Sequence, residues 1–105
     1  MNKSRLPTHR PPLHPGEILL EEFIKPHGLT LTEAAKRLRI ERVRVSEIVN
    51  GRRGITPNTA IRLERLFGSS AGFWLGMQQD HDLWHELNSP AAADVEKIEP
   101  MHQAA

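Results

Sequence analysis

The chain contains no cysteine and no tyrosine, and its aromatic residues stop at three phenylalanines and two tryptophans. Without thiols, disulfides and thiolate metal centres are excluded. No run of about 18 apolar residues occurs, so no transmembrane helix is expected. The opening MNKSRLPTHRPPLHPGE lacks the apolar centre of a secretory signal, and a cytoplasmic chain with no membrane partner is the expectation. Large side chains are too few for an extensive core, so 105 residues fit one domain built on Leu, Ile, Val and Ala. No segment alternates apolar and polar residues in the manner of a strand.

The charge is small in sum, +1, but uneven in place. Residues 36–65 hold nine cations against three carboxylates, residues 66–105 one cation against six, and residues 1–35 are balanced. Eight of the nine central cations are arginine, whose forked donors match phosphate and guanine. An anionic partner is therefore expected for the middle of the chain.

Three prolines and no periodicity make residues 1–14 a flexible arm. Pro15 suits a first helical turn, and Leu19 with Phe23 and Leu20 with Ile24 pair at i,i+4 in a first helix that ends near Lys25-Pro26-His27-Gly28. Thr30-Leu31-Thr32-Glu33 has the form of a capping box opening a second helix to about Leu38. A third helix spans about Arg42 to Asn50 and closes at Gly51. Thr56-Pro57 opens a fourth that runs to Phe67, and Ser70 caps a fifth that runs to Leu87. The expectation is an all-α domain over 15–88, followed by a flexible tail over 89–105.

On a helical wheel Val45, Ile48 and Val49 share one side of the third helix, which is its core face. Val43, Glu47 and Asn50 face the other way, with Arg44 and Ser46 on the flanks and Arg42 in the first turn. Two short helices joined by a tight turn, the second bearing arginines at its exposed start, match a recognition helix placed in a DNA major groove. Arg42 and Arg44 can donate to guanine or phosphate, each paired contact discriminating by about 1–3 kcal/mol. Val43 suits a thymine methyl, and Glu47 either accepts from cytosine or positions an arginine. Thr30, Leu31 and Thr32 offer hydroxyls and amides at a positive helix end, while Arg52 and Arg53 add charge beyond the third helix. Lys36 and Arg37 are expected on the far side, facing solvent.

The segments HPGEILLEEFIKPHGLTLTEAAKRLRI, RVSEIVNGRRGITPNTAIRLERLFG and FWLGMQQDHDL, with Q-x-x-x-D-L in the last, resemble the HigA antitoxins, the VapI-like branch of Cro/C1-type helix-turn-helix proteins. The likeness covers residues 14 to about 83. It implies a five-helix, lambda-repressor-like domain and a homodimer that binds a palindromic operator in double-stranded DNA. It also implies an antitoxin that represses its own operon and neutralises a HigB-like mRNA endonuclease toxin. Leu31, Arg42, Val43, Arg44 and Glu47 fall where such proteins contact DNA. One departure stands in the turn, where Arg39 replaces the frequent glycine.

Phe73, Trp74, Met77 and Trp84 exceed what a small monomer core requires, so Trp74 is expected inside and Trp84 and Leu87 at a dimer interface. His81 and His85 stand at metal-like spacing around Asp82, but a third ligand is not evident from the sequence. No nucleophile, phosphate loop or carboxylate pair stands out, so no catalytic residue, metal site or cofactor is assigned and an enzyme is not expected. A stand-alone repressor and a toxin-binding module without operator affinity are the competing readings.

Overall fold

The computed structural model describes residues 10–101. Most of the expected arm, residues 1–9, and the end of the tail, residues 102–105, lie outside them.

The first helix, α1, begins with a single α-turn over Pro15–Ile18 and passes into a π-helical stretch over Leu19–Ile24. The Lys25 amide donates to the Leu20 carbonyl, five residues back. This wider turn differs from the i,i+4 register that the sequence suggests. It buries Leu19 and Ile24, five apart, while Leu20 and Phe23 pack partly buried against the same core. Then come α2 (Leu31–Leu38), α3 (Arg42–Val49), α4 (Pro57–Phe67) and α5 (Ala71–Leu87). A short α6 (Ala91–Val95) lies where the sequence reading placed a loose tail. It opens on three alanines, strong helix formers. No strand occurs among the described residues.

Local chemistry sets most of the boundaries. Thr30 Oγ1 accepts from the Glu33 amide at 3.0 Å while the Thr30 amide donates to Glu33 Oε1 at 2.9 Å, a complete capping box. These bonds from Thr30, its amide first, hold the Glu33 carboxyl below its usual range. Thr56 and Ser70 cap α4 and α5 through the amides of Thr59 and Phe73. Gly51, at φ 73°, ends the recognition segment in the left-handed region that glycine tolerates.

The core is formed by Leu19 and Ile24 of α1, Ala34, Ala35 and Leu38 of α2, Val45 and Ile48 of α3, Ile55, Ala60 and Leu63 around α4, and Trp74 of α5. Val49 packs at its edge, partly buried. The alanines of α2 let α3 lie close against it. Arg39 adopts φ 60°, the only non-glycine residue with positive φ among the described residues. A side chain in that region costs about 1–2 kcal/mol. The turn thus keeps the glycine-like backbone while carrying an arginine.

His14 does more than precede α1. Its Nδ1 accepts from the Gly16 amide at 2.9 Å, capping the helix. Its ring meets the His81 ring edge-on at 4.8 Å, and His81 in turn contacts His85 at 4.4 Å. Burial, then the neighbouring His81, lowers the His14 pKa, against partial compensation from Asp82 and Glu17. Protonation on Nδ1 would also turn the cap's acceptor into a donor. Because the folded pKa lies below the ordinary 6.5, the unfolded chain takes up the proton first. Stability is therefore full above pH 6.5 and declines as the pH falls through that value towards the folded pKa. Melting curves from pH 8 to 5 should show this decline, and His14→Asn, which keeps a good cap without the titrating ring, should reduce it. An unchanged decline in the variant would remove His14 as its source.

Candidate nucleic-acid interface

The turn between α2 and α3 sets the first turns of both helices side by side. Arg42 Nε donates to Thr32 Oγ1 at 3.0 Å, so an arginine at the start of α3 is held against the start of α2. Next to it Val43 stands 57% exposed. Thr30, Leu31 and Thr32 surround the same helix end, where unpaired backbone amides favour an anion.

At the other end of α3, Glu47 Oε1 accepts from Arg53 Nε and lies equally close to its outer guanidinium nitrogen, 3.0 Å in each case. Glu47 thus orients an arginine, one of the two roles its position suggested. Arg52 is exposed beside it and has no side-chain partner among the described residues. Asn50, exposed at the C-cap, donates from Nδ2 to the Ser46 carbonyl at 2.7 Å. Its amide closes the helix end and leaves Oδ1 available.

Arg44 departs from its expected place on the reading edge. It is half-buried, and an outer nitrogen donates to Thr59 Oγ1 at 3.1 Å while its Nε is buried without a protein acceptor. Thr59 is itself buried and also accepts from the Thr56 hydroxyl. The bond to Thr59, in the first turn of α4, draws the guanidinium inward, so Arg44 joins α3 to α4. A helical wheel cannot report this, because it holds no information about a partner 15 residues away.

Gln78, present in the sequence only as part of the Q-x-x-x-D-L motif, holds the loop after α3 in place. Its Oε1 accepts from the Ile55 amide at 2.7 Å, and its Nε2 donates to Asp82 Oδ1 at 2.9 Å. It pins the end of the loop that carries Arg52 and Arg53 onto α5, and Gly54 leaves it room, since a Cβ there would lie 3.1 Å from the Gln78 amide group. The signal was present in the Q-x-x-x-D spacing, which makes Asp82 an i,i+4 support for Gln78. Gln78→Ala is expected to cost about 1–3 kcal/mol by leaving the Ile55 amide unpaired. Urea denaturation would measure it, and hydrogen exchange should show the Ile55 amide losing protection.

Trp74 is buried, as its place in the sequence suggests, whereas Trp84 is half-buried and Leu87 and Phe73 are exposed along α5. Among the described residues no group of three or more His, Asp or Glu side chains is arranged to hold a metal ion, and no helix is long and apolar enough to cross a membrane.

Residues 20–74, more than half of the chain, match the helix-turn-helix family model. Virulence-associated protein I of Dichelobacter nodosus is 52% identical over 73 residues, 70% of this chain and 68% of that protein. An addiction module antidote protein of the HigA family from Coxiella burnetii superposes with a TM-score of 0.79 at 37% identity, covering 87% of this chain and 99% of that one. The antitoxin HigA of Pseudomonas aeruginosa, solved with the higBA promoter, gives 0.80 at 35% identity, with 87% and 99% covered.

Proposed function

The chain belongs to the helix-turn-helix family, and from that premise we propose that it is the antitoxin and operator-binding repressor of a HigBA-type module. The family binds DNA and is not an enzyme family, so the function rests on recognition. The observation that carries the proposal is the surface of α3. Arg42 is held by Thr32 near the positive start of α2, Val43 stands exposed beside it, and at the other end of α3 Arg53 is held on Glu47 beside Arg52.

In this reading α3 enters the major groove. Arg42, Val43, Ser46, Glu47 and Asn50 meet base edges, while Thr30, Leu31, Thr32, Arg52 and Arg53 hold phosphates. Arg44 positions α3 through Thr59. Two copies related by a two-fold axis place two α3 helices on one palindrome, with Trp84 and Leu87 of α5 in the contact between them. The chain acts in the cytoplasm, where operator and toxin meet. The toxin is a HigB-like endonuclease that the antitoxin holds inactive.

The test is co-expression with the product of the neighbouring small reading frame, scoring a stable complex, rescue of growth and repression of the shared promoter. All three are expected. Repression without complex or rescue would replace the proposal with a stand-alone repressor, and complex without repression would leave a toxin-binding module alone.

A further inference from the structure

A groove of about 260 Å³ lies between the C-terminal half of α2 and the outer face of α4, lined by Arg37, Leu38, Arg39, Arg62, Arg65 and Leu66. No residue of α3 and no carboxylate lines it. Glu64, the acid nearest in sequence on α4, is turned away and accepts from the Ala71 amide at 3.3 Å. Arg62 is fixed, donating to Asn58 Oδ1 at 2.8 Å and to the Leu38 carbonyl at 2.9 Å. Arg37, Arg39 and Arg65 are exposed. Arg39 reaches the groove from a left-handed backbone that glycine would occupy without strain. A strained residue of this kind directs attention to the side chain that it presents. The floor, Leu38 and Leu66, is apolar, so four arginines surround a strip suited to aliphatic side chains.

The same chain carries a segment of the opposite character. Asp94, Glu96 and Glu99, against the one cation Lys97, are interspersed with Val95, Ile98 and Met101, which recur every third residue. Those three apolar residues are 56%, 71% and 88% exposed, so the fold of a single copy does not bury them. The acids suit the arginines and the regularly spaced apolar side chains suit the floor.

We infer that the groove between α2 and α4 receives the acidic, apolar segment 94–101 of a second copy of this chain. The contact lies outside α3 and joins the two copies through their C-terminal segments, in addition to any contact along α5.

The absence of cysteine makes the test direct, since only installed thiols can link. Full-length chains bearing Arg65→Cys and Ile98→Cys are mixed without DNA, and formation of the disulfide between the two chains is followed under mild oxidation. Chains bearing Val43→Cys and Ile98→Cys are the control, as Val43 is exposed on α3. The groove pair is expected to link about tenfold faster or more, because docking raises the local thiol concentration. Adding Glu96→Lys and Glu99→Lys to the Ile98→Cys chain should return the rate to that of the control. Equal rates for the two pairs, or a groove rate unmoved by the charge reversals, would overturn the inference. Linking that arises only after operator DNA or the neighbouring gene's product is added would also overturn it, assigning the groove to that partner.

Discussion

Replacing Gly16 with alanine should destabilise the protein by about 3 kcal/mol or more, the upper end of what overpacking costs. A Cβ built on Gly16 would stand 1.7 Å from the Ile48 carbonyl oxygen and 2.6 Å from its carbon. Both atoms belong to the backbone of α3, so no side-chain rotation relieves the clash. Helix α1 would have to move away, exposing Leu19 and Ile24, which are buried in the core. Intrinsic helix propensity acts the other way, favouring alanine over glycine by about 1 kcal/mol. The sign of the measured change therefore decides between local preference and packing. In a domain of this size, a loss of that magnitude lowers the midpoint of thermal unfolding by on the order of 10–20 °C. Circular dichroism melting would read it, and a midpoint at or above the parent's would refute the close approach of α1 to α3. Because the clash falls on Ile48, operator affinity should fall as well.

The second large effect concerns electrostatics. Replacing Arg52 and Arg53 together with alanine should weaken operator binding on the order of 10²- to 10³-fold at physiological salt. In a dimer this removes four phosphate contacts, and each contributes about 0.9 to the slope of affinity against salt. The slope should therefore decrease by about 3 to 4, with operator and unrelated duplex affected alike. Val43→Ala should instead lower discrimination between sequences and leave the slope unchanged. Fluorescence anisotropy over a salt series separates the two, and an unchanged slope in the double variant would remove these arginines from the phosphate contacts. Glu47→Ala provides an internal comparison. It releases Arg53 from its 3.0 Å contact, so a smaller loss is expected from it than from removing the arginine.

Much of the recognition segment was legible because its signals are local. Thr30, Thr56 and Ser70 cap helices through amides three residues away, and Gly51 and Gly68 end them at positive φ. The wheel of α3 correctly turned Val45 and Ile48 inward and Val43 outward, since helical periodicity alone decides which residues share a face. The inward turn of Arg44 towards Thr59 was not legible, because both flanks of a helix look alike until a neighbour covers one of them. The π-turn of α1 was equally hidden, as its apolar residues fit an α-helical pairing until the core requires Leu19 and Ile24 together.

The sequence by itself determined the all-α class, the starts and ends of α2 to α5, the core face of α3 and the concentration of arginine in the middle of the chain. Each of these depends on residues within a few positions of one another or on composition. Only the tertiary structure decided that Arg44 joins α4 at Thr59, 15 residues on, that Gln78 holds the Ile55 amide from 23 residues away, and that Arg62 caps the end of α2 from 24. Those partners meet through the relative placement of packed helices, which is set by burial of the whole core and is written in no short stretch of the chain.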